Sequence, residues 1–302
     1  MIVNHAALAA LDVSFKTIFN KALEKAVGPL DAVTSRVPSA TASEKYPLGA
    51  LTGGMRQWIG DRQVGNLAAF LKTVENLKFE QTIGVLRDHI EDDTTGVYRM
   101  AVEQLAAQAE MHPWELLETL LGTTAFTALD GVDEKAFFSA THTWPGAYAT
   151  SQDNLTDELL DSAAVYTGLA AMSGFKGPDG KTLRVSPTHF LYAPSEESRV
   201  DGLFNQATLA TGESNPHFNR FPRDRQIKMH GWSGHQWVML DCSKPVKPCV
   251  FQERRKIELV SLIKLDDENV FSRDEFLWGT SYRGAVAAIA WWLAYGSNGE
   301  GS

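Results

Sequence analysis

Thr95–Leu121 reads TGVYRMAVEQLAAQAEMHPWELLETLL, and its periodicity decides the fold. Val97, Ala101, Leu105 and Ala109, then Leu116, Leu117, Leu120 and Leu121, recur at helical spacing. At 1.5 Å per residue this helix would span roughly 40 Å, the longest element in the chain and the natural spine of a domain. Pro113 lacks the N–H that would bond the Ala109 carbonyl, so a kink or restart is expected there. Glu91-Asp92-Asp93-Thr94 stands just before the helix. Without EF-hand spacing these side chains read as a cap for the orphan N–H groups and the macrodipole, not as a cation site.

Working outward toward the N-terminus, residues 49–90 have a different texture. Turn signals at Gly53-Gly54 and Gly60-Asp61 interrupt apolar positions, and KFEQTIGVLR alternates in places like a strand. A long two-stranded excursion with turns near Gly53 and Asn76 is predicted. Such a hairpin is unstable alone and must lie on its own domain or on another chain. Further back, residues 4–27 place Leu8, Leu11, Phe15, Ile18, Phe19, Ala22 and Ala26 on one helical stripe that Gly28-Pro29 ends. Between them VTSRVPSATASEKYP has little to bury and reads as an extended arm. The helix on that arm either reaches a neighbouring subunit or folds back on its own domain.

Toward the C-terminus, residues 122–154 are expected to be mostly loop. A second helix is predicted from Thr156, as N-cap, to about Ser173. GPDGKT then turns into a buried strand within LRVSPTHFLYAP, and residues 205–225 form another loop-rich stretch. Strands are predicted at 226–230, 235–240 and 256–263, with a last extended run at 275–295. The order is mixed α+β, helices interrupting a largely antiparallel set of strands.

The 302 residues are 44% hydrophobic and 22% charged, enough to build a sizeable core. Net charge is −9, and Arg254-Arg255-Lys256, the longest basic cluster, is flanked by Glu253 and Glu258. A protein that grips nucleic acid over a broad surface normally shows a basic stripe. The N-terminus has no signal-peptide pattern, and the most apolar stretch, Ala285 to Tyr295, is too short to span a bilayer. The chain reads as a soluble protein made in a cytoplasm.

A search for chemistry gives no catalytic constellation. Cys242 and Cys249, the only cysteines, lack CxxC spacing and read as free, inert thiols rather than a disulfide or a nucleophile. None of the eight histidines makes an HExxH or other helical ligand pair, so no metal or cofactor is expected. Gly180-Lys181-Thr182 lacks the upstream glycine of a phosphate loop, since that position is Phe175, and Gly231-Trp232-Ser233-Gly234 is not GxSxG.

The C-terminal third carries a distinctive combination. SKPVKPCVFQERRKIELVS (Ser243–Ser261) runs on into KLDDENVFSRDEFLWGTSYRGAVAAIAWWLAYGS (Lys264–Ser297). RQWIGDRQVGNL (Arg56–Leu67), KFEQTIGVLRDHIEDDTTGVY (Lys78–Tyr98), GFKGPDGKTLRVSPTHFLYAPSEE and ESNPHFN stand in the same collinear order. Together they resemble the major head subunit of Mu-like phages and prophages, over about residues 2 to 299, with divergence in the loop from Phe126 to Asn154.

The resemblance implies the Hong Kong 97-type phage capsid fold. It divides the chain into an N-terminal helix and arm (1–48), an extended loop (49–86) and a peripheral domain with the spine helix (87–154). An axial domain (155–250) and a segment returning strands to the peripheral domain (251–302) complete it. The implied function is a non-enzymatic major capsid protein, assembled in the host cytoplasm into hexamers and pentamers of an icosahedral head. That head encloses double-stranded DNA without tight binding and needs no membrane. The resemblance also makes a portal, decoration proteins and a scaffold or protease partners to expect, the scaffold as a separate protein because no large scaffolding domain precedes the arm. Inter-subunit contact candidates are Phe15, Phe19, Trp58, Arg62, Phe70, Trp291, Trp292 and Tyr295, because aromatic residues and Arg are enriched at interface hot spots. For Trp291 and Trp292 a plain core position is the stronger reading. Lys72 and Asn269 occupy segments that crosslink in some relatives, but the Mu-like group gives no reason to expect it. The alternatives are an encapsulin-like compartment shell and a cytoplasmic α+β hydrolase using Cys242 or a histidine.

Overall fold

A computed structural model describes residues 4–26, 28–48, 57–61, 70–92, 96–131, 133–145, 147–209 and 211–301. Helix α1 (His5–Lys25) starts where the Asn4 side chain accepts the Ala7 N–H at 2.9 Å. Leu8, Phe15 and Phe19 are its buried stripe, and they pack against the spine, α4 (Val97–Thr119). Of the two destinations open to this helix, the fold takes its own domain.

The arm is extended but tied down. After α2 (Leu30–Val33), β1 (Thr34–Pro38) pairs in parallel with β9 (Cys249–Leu262), and β2 (Ser43–Pro47) pairs with β3 (Leu71–Glu75). Its polar turn satisfies itself, because Glu44 Oε1 accepts from Ser39 Oγ and from the Ala40 and Thr41 N–H groups. The hairpin expected around Asn76 is not present. β3 and β4 (Leu77–Leu86) flank Asn76 but belong to different sheets, and β4 pairs with β10 (Glu275–Ala288). The Asn76 side chain marks the junction by donating to Ser39 Oγ and the Thr41 carbonyl. The turn expected at Gly53 lies outside the described residues.

Two further expectations about the spine differ. Glu91 and Asp92 end a short helix, α3 (Arg87–Asp92), and the N-cap of α4 is Gly96 at φ 72°, with no side-chain cap bond. Asp93 and Thr94 lie outside the described residues. The helix also runs unbroken through Pro113 and changes instead to a π turn at Leu120–Thr124, before α5 (Ala125–Thr127). Carbonyls around that turn find side-chain donors: Trp232 Nε1 reaches Glu118 and Gln236 Nε2 reaches Gly122, both at 2.8 Å.

Thr156 is not a cap. It pairs within β5 (Leu155–Thr156), and α6 (Ser162–Gly174) is capped by Asp161, whose Oδ1 accepts the Ala164 N–H at 2.7 Å. β6 (His189–Tyr192), α7 (Glu197–Val200), β7 (Gln226–Lys228) and β8 (Trp237–Leu240) follow. The chain closes with α8 (Glu268–Arg273), a 3-10 turn at Trp291–Leu293 and β11 (Ala294–Ser297).

The strands form a four-stranded sheet in the order β1-β9-β10-β4, a five-stranded sheet β5-β11-β8-β6-β7, and the pair β2-β3. Antiparallel pairing dominates, with parallel pairs at β1–β9, β5–β11 and β6–β7. One core cluster gathers Trp144, Phe190, Phe204, Phe221, Trp237, Trp291 and Trp292 around the five-stranded sheet. The other lies between α1, α4 and the far half of the four-stranded sheet, with Phe15, Leu105, Phe276 and Trp278 inside it.

Candidate assembly surfaces

The sheet of β4, β10 and β9 has one face toward α1 and α4 and one face toward solvent. Alternation along β10 sets this: Phe276, Trp278, Thr280 and Tyr282 are buried, while Glu275, Leu277, Gly279, Ser281 and Arg283 point the other way. Cross-strand register then writes rows across the outer face. Leu277 lies between Gly84 and Leu262, and Gly279 between Thr82 and Val260. Val260 is 58% exposed and Leu262 53%, so this end of the face is an open apolar band. Nearer the middle, Ser281 separates Glu80 from Glu258, and beyond it Arg283 separates Lys78 from Arg255.

At the apolar end α8, within the connection between β9 and β10, projects Phe271, 92% exposed. Phe271 is not among the contact candidates that residue type gives, although the sequence carries a signal for it. It is the sole aromatic in the charged segment KLDDENVFSRDE, Lys264–Glu275.

Of the contact candidates, Phe15 and Phe19 pack within the α1–α4 cluster, with Phe15 edge-on to Trp278 at 5.0 Å. Phe70 is buried edge-on to Trp144 at 5.2 Å. Trp291, Trp292 and Tyr295 lie in the larger core, where Trp144 touches both tryptophans. These six side chains spend their surface on their own chain. Trp58 differs: it is 67% exposed, its indole N–H held by the Gly60 carbonyl at 2.7 Å. Arg62 lies outside the described residues.

Catalytic geometry is incomplete where it is approached. Ser162 Oγ and His217 Nε2 are 2.8 Å apart, as a nucleophile and base would be. The other ring nitrogen of His217 is buried with no hydrogen-bond partner, so no carboxylate orients the imidazole. Burial, with Arg220 nearby, also lowers the basicity of His217. Cys242 and Cys249 are free thiols, and burial pushes both up, Cys242 to about 12, which disfavours the reactive thiolate. Among the described residues no group of three or more His, Cys, Asp or Glu side chains is placed to hold a metal ion, and no helix is long and apolar enough to cross a membrane.

The same arrangement of helices and sheets is found in solved phage shells. The chain is similar over 98% of its length to a chain of the bacteriophage JBD30 procapsid, at 28% identity, TM-score 0.60 and 76% coverage of that chain. A virus-like particle from Pyrococcus furiosus shares the fold, at 9% identity and TM-score 0.55, covering 94% of this chain and 97% of its own. The molecule is therefore a capsid-type subunit of the Hong Kong 97 class.

The pattern of the family described as "Mu-like prophage major head subunit gpT" matches residues 8–166, 143–222 and 222–301, and the chain belongs to that family. It is 27% identical to the major capsid protein of Escherichia phage Mu, over 99% of this chain and 76% of the relative. It is 24% identical to the Mu-like prophage FluMu major head subunit of Haemophilus influenzae, over 96% of this chain and 73% of the relative.

Proposed function

We propose that copies of this chain assemble, as hexamers and pentamers, into a closed icosahedral head that encloses double-stranded DNA. The observation that carries the reading is the outer sheet face, whose apolar band and projecting Phe271 the described residues leave exposed. Apolar surface on a rigid element that continues into charged rows is what an inter-subunit contact needs. A stable interface buries roughly 1,200–2,000 Å², and a shell subunit makes several, so modest contacts sum to a durable particle.

In this reading residues 1–48 form the N-terminal helix and arm, 49–86 the extended loop and 87–154 the peripheral domain with the spine helix. Residues 155–250 form the axial domain, and 251–302 return strands to the periphery. Trp58 and Arg62 in the extended loop are the proposed contacts toward a neighbour. The subunit carries no catalytic role, assembles in the host cytoplasm, and works with a portal, decoration proteins and a separate scaffold or protease. A net charge of −9 keeps DNA enclosed without tight binding.

Size-exclusion chromatography with electron microscopy of the purified protein tests this, with closed particles as the expected product. A monomer that persists under all conditions overturns it. Nucleic acid within the particles separates a viral head from a cargo compartment, and strong binding of duplex DNA by the free subunit at physiological salt overturns the loose-enclosure reading.

A further inference from the structure

At the end of the outer sheet away from Phe271, Lys78, Arg254, Arg255 and Arg283 border one cavity of about 530 Å³, together with Asn76. Lys78, Arg283 and Arg255 are direct cross-strand partners on β4, β10 and β9. Like charges opposed on paired strands are destabilising, so a row of three calls for an anion. The β9–β10 register shifts on both sides of Arg283, and Arg254 is the extra residue between Arg255 and Glu253, the partners of Arg283 and Gly284. A bulge of this kind re-aims a side chain, and here two consecutive guanidinium groups border the same space.

The cations are partly held in place but not neutralised. Arg255 donates to Ser281 Oγ at 2.9 Å and Arg254 to the Ser39 carbonyl at 3.3 Å. Among the described residues none of the four forms an ion pair. Glu253 is engaged by Arg36, and Glu80 accepts the Thr82 hydroxyl. Asn76, 8% exposed, is held at the border of the cavity by its Nδ2, which donates to Ser39 Oγ and the Thr41 carbonyl.

An occupant must bring carboxylate or phosphate oxygens for the cations. An acidic polypeptide segment brings carboxylates, and this chain carries one that adds an exposed aromatic ring. Lys264–Glu275 holds Asp266, Asp267, Glu268, Asp274 and Glu275 against two cations, Lys264 and Arg273, with exposed Phe271 among them. Leu77, next to Lys78, is an exposed apolar neighbour suited to that ring. The segment cannot serve its own cavity: Glu275 and Arg283 lie at opposite ends of one strand, about 26 Å apart at ~3.3 Å per residue.

We propose that the cavity bordered by Lys78, Arg254, Arg255 and Arg283 receives the acidic β9–β10 connection, which carries α8, of a second copy of this chain. The contact is head-to-tail, and such contacts build rings wherever the rotation closes. The proposal rests on the shell reading and adds which surfaces meet.

Paired charge reversal tests it. Arg255→Glu with Arg283→Glu, and separately Asp266→Lys with Glu268→Lys, are each expected to lower particle yield by about tenfold or more on density gradients. All four changes together are expected to restore particles. Thermal unfolding of each free subunit shows whether it is folded, and Arg255→Gln with Arg283→Gln replaces the first pair if reversal unfolds it. Wild-type yield from the arginine variants overturns the proposal, as does a folded four-fold variant that fails to assemble. Normal shells with less packaged DNA also overturn it, assigning the cavity to nucleic acid. If the wild-type protein forms no particles under any condition, the shell reading itself falls and the proposal with it.

Discussion

His142 lies flat on Trp291, with ring centroids 4.2 Å apart and an interplanar angle of 5°. The same imidazole has Nδ1 2.7 Å from Asp133 Oδ2 and Nε2 3.1 Å from the Phe137 carbonyl, all of it buried. A loop that carries little regular structure is thereby fastened to the C-terminal 3-10 turn. The pairing also explains why Trp291 is a core residue: one face of its ring is covered by a side chain about 150 positions earlier in the sequence.

Removing one partner from a buried pair leaves the other uncompensated, at a cost of about 3–5 kcal/mol. His142→Ala is expected to destabilise the free subunit by that order, measured by urea unfolding. The pH dependence has a definite sign. Burial pushes the Asp133 carboxyl up, but the hydrogen bond and charge of His142, with the Thr143 N–H, outweigh it and leave it below its ordinary value. Its stabilisation is therefore present above the unfolded carboxyl value of about 3.9 and is lost as pH falls from there through the lower folded value. Unfolding midpoints compared at pH 5 and pH 3 should show a smaller acid loss in His142→Ala than in the wild type.

Gly122 sits in the π turn with no room for a side chain. A Cβ there would meet Trp232 Cδ1 and Nε1 at 2.6 Å. The indole is anchored by its bond to the Glu118 carbonyl and is not free to retreat. Gly122→Ala is expected to cost about 1–3 kcal/mol as overpacking, with the change in Trp232 environment visible in its fluorescence.

How far these features could be read beforehand depended on whether their cause was local. Val97 to Leu121 and Leu8 to Phe19 declare helices by spacing, and Phe276, Trp278, Thr280 and Tyr282 alternate as a half-buried strand must. Asn76 looked like a hairpin turn because Leu71–Leu86 is read as a single excursion, whereas the strand that captures β3 comes from Ser43–Pro47. Thr34–Pro38 is polar and becomes a strand only because Cys249–Glu253, more than two hundred residues later, lies beside it. Residue type also misled about surfaces. Phe15, Phe70 and Tyr295 have the composition of interface anchors and the burial of core residues, while Phe271 is an exposed aromatic in a segment that otherwise looks like a charged turn.

The two cysteines give a chemical readout of burial. Cys249 is wholly inside the core and Cys242 is packed beside it, so both thiols are held in the protonated form at neutral pH. Iodoacetamide at pH 8 is expected to leave both unmodified in the folded subunit and to modify both in urea, with mass spectrometry counting the adducts. Rapid native labelling of Cys242 would contradict its placement against the core.

Phe15 and Trp58 should separate folding from assembly. Phe15 is buried against Trp278, so Phe15→Ala is expected to cost about 3–5 kcal/mol in the free subunit. Trp58 is largely exposed, and a surface truncation away from the core usually changes stability by no more than about 0.5 kcal/mol. Trp58→Ala should therefore unfold like the wild type while lowering the yield of particles, the outcome expected of the proposed contact toward a neighbour. Equal particle yield from Trp58→Ala and wild type would remove Trp58 from the contact surface. An unfolding midpoint lowered as far as that of Phe15→Ala would show that it packs within its own subunit instead.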